Sequence, residues 1–172
     1  MSKVILYSIS GLKWGKSHTK WVEVGGVVAM FMGQYGHTID SKGRTIIPVK
    51  YREGLGDTFV ITRGLDGCLF LYPMPEWEKF VDKLQQLPSS QKTRKIQRQF
   101  LSKAMEVSAD KQGRILVPQM LRASAGLEKD VVFAGMMNRV EIWDKKRFDA
   151  EELDEEDEVS LDSIMDELGI PL

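Results

Sequence analysis

The stretch "DSKGRTIIPVKYR" at Asp40–Arg52 returns seventy residues later as "DKQGRILVPQMLR" at Asp110–Arg122. Aspartate, glycine, arginine, proline and a second arginine recur at the same offset: Asp40 and Asp110, Gly43 and Gly113, Arg44 and Arg114, Pro48 and Pro118, Arg52 and Arg122. Recurrence at one constant offset is typical of an internal duplication. The sequence therefore predicts a chain built from two copies of one structural unit.

Each copy has the residue pattern of a strand, a tight turn, a returning strand and a short helix. Tyr35 and His37 alternate with small or polar residues, as in a half-buried strand. Gly43 supplies the residue that a tight hairpin needs at positive φ. Pro48 ends the returning strand and suits the first turn of a helix. Further along, "TFVITRGLDGCLFLYP" predicts a second hairpin and "PEWEKFVDKLQQL" an amphipathic helix, and the second copy repeats this plan.

We divide the chain into five segments: an N-terminal extension at 1–29, a first repeat at 30–87, a linker helix at 88–102, a second repeat at 103–150 and an acidic tail at 151–172. A repeat of about fifty residues buries little apolar surface alone. We therefore expect the two copies to pack on each other, on other subunits, or both. The linker helix is expected to turn Ile96, Phe100 and Leu101 inward and its basic side chains outward.

The charge of the chain is unevenly distributed. Residues 30–149 carry twenty basic and fourteen acidic side chains, whereas residues 150–172 carry ten acidic side chains and no basic one. A basic body favours a polyanionic partner, and an acidic end is typical of a solvated tail. Val159, Leu161, Ile164, Met165 and Leu168 have near-helical spacing, so a tail that wraps a partner protein stays open as an alternative.

Several classes of function find no support in the residues. Cys68, His18 and His37 stand at unrelated positions and do not make a zinc site. "GLKWGKS" has three residues between its glycines where a phosphate-binding loop needs four. No apolar stretch approaches the roughly 18 residues of a membrane span. We expect a cytoplasmic protein without enzymatic activity, cofactor or small-molecule substrate, and Cys68 as a buried strand thiol.

Four stretches, "MFMGQYGHTIDSKGRTIIPVKYR", "DGCLFLYP", "ADKQGRILVPQMLR" and "VEIW", closely resemble the MraZ family, from Met30 to about residue 150. The resemblance implies an α+β fold of two tandem AbrB/SpoVT-like swapped-hairpin repeats, which form one pseudo-twofold β-barrel-like domain with flanking helices. It also implies a transcriptional regulator of the division and cell-wall gene cluster. Such a regulator binds short direct repeats upstream of its own operon as a ring-shaped homo-oligomer and associates with the nucleoid.

The N-terminal extension departs from the family pattern, because members usually start at the residue equivalent to Met30. We expect residues 1–29 to be disordered or to reflect a misassigned start codon. The codons for "VEVGG", which directly precedes the apolar residues before Met30, permit a purine-rich ribosome-binding sequence.

The two turns are the candidate DNA-binding site. An arginine guanidinium reads guanine O6 and N7 with two donors, and a two-stranded ribbon fits the major groove. A turn aspartate accepts hydrogen bonds from its own backbone and from an arginine four residues later. We assign DNA contact to Arg44, Arg114, Lys42 and Lys111 and turn structuring to Asp40, Gly43, Asp110 and Gly113. Each chain would then carry two DNA-reading turns.

Other interpretations stay open at this stage. The arginines of the two turns could pair only with their aspartates, in a purely structural turn. Arg52 and Arg122 suit a surface salt bridge as well as a phosphate contact. The alternative function is an antitoxin-like protein-interaction module. Four aromatic side chains are assigned to the core or to a subunit interface: Trp77, Phe80, Trp143 and Phe148.

Overall fold

The computed structural model describes residues 21–23, 26–28, 30–153, 165 and 167–169. Its strands are β1 Trp21–Glu23, β2 Gly26–Val28, β3 Gln34–Thr38, β4 Arg44–Ile46, β5 Thr58–Arg63, β6 Leu69–Pro73, β7 Met105–Ser108, β8 Arg114–Leu116, β9 Asp130–Met136 and β10 Arg139–Asp144. Its helices are α1 Val49–Leu55, α2 Met74–Gln85, α3 Gln91–Leu101, α4 Gln119–Ser124 and α5 Lys145–Leu153. This order confirms a mixed α/β chain with the same plan of elements in both repeats.

The ends of the helices follow from their capping residues. Pro48 and Pro118 directly precede α1 and α4, where a missing backbone N–H is tolerated. α1 stops at Gly56, which has φ +76°. The Ser90 hydroxyl accepts a hydrogen bond of 3.0 Å from the Thr93 N–H and so caps α3. Among the described residues, no helix is long and apolar enough to cross a membrane.

The six-stranded antiparallel sheet is assembled from both repeats. Its strand order is β3, β9, β10, β6, β5, β7, so β3 and β7 form its two edges. β3 of the first repeat pairs with β9 of the second, and β7 of the second repeat pairs with β5 of the first. Each repeat therefore contributes its first strand to the hairpin of the other. Outside this sheet, β1 and β2 pair with each other, and the rest of 1–29 lies outside the described residues.

The strand after each turn also pairs with the other repeat. The first turn closes as a hairpin turn, because the Asp40 N–H donates to the Arg44 carbonyl over 2.9 Å. β4 then leaves β3 and pairs antiparallel with β8, which places Thr45 opposite Ile115. The expected hairpin ladder between the strands flanking each turn is thus wrong. Local turn chemistry sets the reversal, but the long-range partner sets the pairing.

Side chains on the two faces of the sheet enter two different apolar layers. Leu69 and Leu71 of β6 point into the main core, which also contains residues of α1, α4 and the β4–β8 ribbon. Phe70 and Tyr72, on the opposite face, pack in an aromatic layer with Trp143. Trp77, Phe80 and Phe148 pack against this second layer, which confirms their assignment to the core. Cys68 is buried in the same layer as expected, but it lies directly before β6 and not within a strand.

The inward face of α3 differs from the prediction. Phe100 is buried and stacks on Phe70, but Ile96 and Leu101 are 42% and 39% exposed. The face of α3 that packs on the protein is formed by Thr93, Gln97 and Phe100. Thr93 and Phe100 are buried, and the Gln97 amide donates to the Leu84 carbonyl over 3.0 Å. Ile96 and Leu101 lie beside that face, so the prediction was wrong for these two residues.

One arginine from each repeat lies against the turn glycine of the other. A Cβ at Gly43 would lie 2.7 Å from Cζ of Arg122, and a Cβ at Gly113 would overlap the guanidinium of Arg52. Both glycines also have positive φ, +85° and +78°. Only glycine combines this backbone conformation with this closeness.

Backbone hydrogen bonds fix the same contact. Arg52 Nε donates to the Ile47 carbonyl over 2.9 Å, and Ile47 N–H donates to the Gly113 carbonyl over 2.8 Å. The second repeat matches this arrangement, with Arg122 Nε on the Val117 carbonyl at 3.1 Å. Arg52 and Arg122 therefore pack between the repeats, a structural role that the sequence did not predict. The phosphate contact that the sequence offered for them stays a prediction.

Replacing Gly113 with alanine should lower the free energy of unfolding by roughly 1–3 kcal/mol, because the new Cβ meets Arg52 at a positive φ. Gly36→Ala is the matched control, since a Cβ there has nothing within 4 Å. Thermal unfolding of both variants checks this. Equal stability of the two would contradict the structural role of the Gly113 contact.

Candidate nucleic-acid interface

The first D-x-x-G-R turn is held by one carboxylate. Asp40 Oδ1 accepts hydrogen bonds of 2.9 Å from the backbone N–H groups of Lys42 and Arg44. Its Oδ2 accepts from Arg44 Nε and Nη2, both at 2.7 Å. Because a guanidinium has five N–H donors, Arg44 keeps donors for a second partner. The aspartate thus sets the turn and orients the arginine together.

The second turn repeats this geometry. Asp110 Oδ1 accepts from the backbone N–H groups of Gln112 and Arg114 at 2.8 and 2.9 Å, and Oδ2 accepts from Arg114 Nε at 2.8 Å. The lysines do not occupy equivalent positions in the two turns. Lys42 corresponds to Gln112, whereas Lys111 corresponds to Ser41. Both lysines are exposed, one in each turn.

Both turn carboxylates are ionised over a wide range of pH. Hydrogen bonds from the Arg44 backbone and side chain lower the pKa of Asp40 to about 2. The equivalent bonds from Arg114 lower the pKa of Asp110. Since the folded pKa of Asp40 lies below its ordinary value of 3.8, the pairing is complete above that value. It is lost only as pH falls through about 2.

The two turn arginines lie on one face of one ribbon. In the β4–β8 register, Arg44 is opposite Leu116 and Arg114 is opposite Ile46. The arginine side chains are 44% and 41% exposed. Arginines on the diagonal of such a ladder have Cα atoms about 7–8 Å apart. The structure therefore joins the two predicted DNA-reading turns into a single surface, the ribbon face, made of Arg44, Ile46, Arg114 and Leu116.

The remaining assigned residues frame this face. Lys42 and Lys111 lie in the turns at its opposite ends, one residue and two residues before the turn glycines Gly43 and Gly113. The paired stretch continues beyond β4, because the Val117 N–H donates to the Gly43 carbonyl. From Gly43 to Ile47 it spans about 13 Å at the usual rise of a strand.

Ile46 and Leu116 were not among the predicted site residues. They are 41% and 57% exposed, whereas Thr45 and Ile115 between the arginines and these residues are buried. The signal was present in the sequence, because side chains two residues apart in a strand share a face. An outward Arg44 therefore requires an outward Ile46.

His37 and Cys68 serve packing, and His18 lies outside the described residues. The His37 ring lies edge-on to Phe133. Burial, and to a smaller extent the positive charge of Arg52, lowers the pKa of His37. Burial raises the pKa of the Cys68 thiol. Within the described part of the chain, no three His, Cys, Asp or Glu side chains are grouped to hold a metal ion.

These features define a tandem-repeat protein whose two halves share one arginine-bearing β-ribbon. The family described as "MraZ protein, putative antitoxin-like" matches residues 30–99 and 100–166. The chain is 50% identical over 141 residues to the transcriptional regulator MraZ of Lachnoclostridium phytofermentans, covering 82% of this chain and 99% of that protein. It is 52% identical over 140 residues to the protein of that name from Caldanaerobacter subterraneus subsp. tengcongensis, covering 81% and 96%. The chain belongs to the MraZ family.

The pairing of Asp40 with Arg44 can be tested by titration. In a carboxyl-carbon NMR titration, Asp40 should titrate near pH 2, and in the Arg44→Ala variant its midpoint should rise toward 3.8. Arg63→Ala, at an exposed arginine outside the turns, is the matched control variant. Because the Arg44 backbone N–H bond to Asp40 remains in this variant, a midpoint unchanged by the Arg44→Ala substitution would show that the arginine side chain does not hold the carboxylate.

Proposed function

We propose that this protein is a sequence-specific DNA-binding regulator of transcription that contacts DNA through the ribbon face. The observation that carries the proposal is the placement of Arg44 and Arg114, each oriented by its own aspartate, on one exposed β-ribbon. The names of its relatives, transcriptional regulators, support the same function.

The dimensions and chemistry of the ribbon face suit the major groove. A groove about 12 Å wide admits a two-stranded ribbon, and arginine donors pair with guanine O6 and N7. Each such pair discriminates by about 1–3 kcal/mol. Lys42 and Lys111 at the ends of the ribbon would contact phosphates, which position the protein without reading sequence.

The finer features belong to the same proposal. The exchanged strands and the ribbon packed over the sheet core support a swapped-hairpin, barrel-like domain. We propose that such domains assemble into a ring-shaped homo-oligomer that binds short direct repeats upstream of its own operon, in the division and cell-wall gene cluster, and that the protein lies in the cytoplasm on the nucleoid. One ribbon gives few base contacts, so several ribbons on several repeats would raise affinity through effective concentration.

Fluorescence-anisotropy binding tests this function with the full chain. The ligands are a duplex from upstream of its own operon and a scrambled duplex of the same composition. Arg44→Lys and Arg114→Lys should each weaken binding to the operon duplex by about 5-fold to 150-fold, because lysine keeps the charge but loses the two-donor geometry. Binding to the scrambled duplex should change little.

Arg63→Lys is the matched control, an exposed arginine of β5 outside the ribbon. Lys42→Ala and Lys111→Ala should weaken binding to both duplexes by the same factor. Each should also lower the slope of the logarithm of the binding constant against the logarithm of the salt concentration by about one. Operon binding that survives both ribbon substitutions would contradict the proposal, provided that light scattering shows an unchanged oligomer.

An antitoxin-like interaction module is the second candidate. The exposed Leu101 of α3 lines a surface pocket with Arg94 and Arg98, a combination that suits an acidic amphipathic partner segment. No acidic residue occurs in α3. If the full chain shows no DNA binding in the anisotropy experiment, this module becomes the leading function.

A further inference from the structure

The ribbon face has a checkerboard arrangement of two chemistries. Arg44 and Arg114 occupy one diagonal, and Ile46 and Leu116 occupy the other. Each aliphatic side chain is directly opposite an arginine in the ladder. Side chains directly opposite each other, like those two residues apart on one strand, are close enough to contact the same short stretch of a ligand.

The two aliphatic side chains are exposed beside charged groups, which limits the kind of partner that fits this face. Ile46 and Leu116 are 41% and 57% exposed on a ribbon whose other face is fully used by the core, with Thr45 and Ile115 at 2%. A second protein copy on this face would have to cover the charged Asp40–Arg44 and Asp110–Arg114 pairs as well. Desolvating such pairs is costly. A polyanion with apolar groups on its surface would bind the arginines of one diagonal and contact the aliphatic side chains of the other.

The major groove of DNA is a surface of that kind. Thymine is the base that presents a methyl group there, while guanine presents the O6 and N7 acceptors that arginine binds. Residues two apart in a strand are separated by about 6.8 Å. That distance is about two steps of the roughly 3.4 Å rise of a DNA strand. The face thus matches guanines and thymines within two base pairs of each other.

We infer that Ile46 and Leu116 are specificity-determining residues that contact thymine C5-methyl groups in the major groove, beside the guanines bound by Arg44 and Arg114. This inference rests on the proposed function. It adds a requirement that arginine contacts alone do not impose, namely methyl groups at defined positions of the bound sequence.

The test removes only the methyl groups from the DNA. The operon duplex is compared with the same duplex carrying deoxyuridine in place of every thymidine, using the full chain in anisotropy measurements. Wild-type affinity should fall about fourfold for each contacted methyl group. The double variant Ile46→Ala/Leu116→Ala should lose most of this preference, because an alanine side chain ends at Cβ and reaches less far toward the methyl groups than isoleucine or leucine.

Two control variants separate this effect from changes in DNA shape. Val49→Ala removes an aliphatic side chain that is 74% exposed but lies outside the ribbon, and should keep the full preference for thymidine. The variant Ile46→Val/Leu116→Ile retains branched aliphatic side chains on the ribbon, so it should also retain the preference for the thymidine duplex. Loss of the preference only in the alanine pair supports the inference.

The outcomes distinguish this inference from the proposed function. Specific binding with equal affinity for both duplexes overturns the methyl contact and leaves DNA recognition standing. An equal loss with deoxyuridine in wild type and in the alanine pair assigns the effect to DNA shape and overturns the inference. A change in oligomer size for the alanine pair makes Ile46 and Leu116 subunit contacts and overturns it too. Absence of DNA binding removes both proposals.

Discussion

The contact between an arginine of one repeat and the turn glycine of the other is the constraint on which the domain depends. Arg122 lies where a side chain at Gly43 would be, and Arg52 lies where one at Gly113 would be. Through these contacts each turn is completed by the opposite repeat. The same arginines bind the carbonyls at the ends of the ribbon, so the turns, the ribbon and the joining of the repeats form one unit.

This constraint explains why the duplicated turns act as one surface. β4 and β8 have only three residues each, and neither could stand as a ribbon without the other. Exchange of β3 and β7 between the hairpins brings the two short strands together. The DNA-binding face that we propose exists only when both repeats are folded on each other, which couples recognition to the integrity of the whole domain.

The sequence could predict the features that depend on near neighbours. The Asp40 turn, the prolines before α1 and α4, the β5–β6 and β9–β10 hairpins and the buried Cys68 all follow from local pattern. The pairing of β4 with β8 could not be predicted, because the hydrogen bonds of a short strand are satisfied equally by a near or a distant partner. The contact of Arg52 with Gly113 depends on that pairing. Exposure of Ile96 on α3 depends on which stripe of the helix meets the aromatic layer.

Hydrogen–deuterium exchange of the full chain, with and without the operon duplex, is the most direct measurement of the central claim. We predict that DNA slows exchange in both ribbon segments, 40–47 and 110–117, to a similar degree, and that α3 is unaffected. Slower exchange confined to α3, or to one ribbon segment alone, would contradict a single DNA-binding face shared by the two repeats.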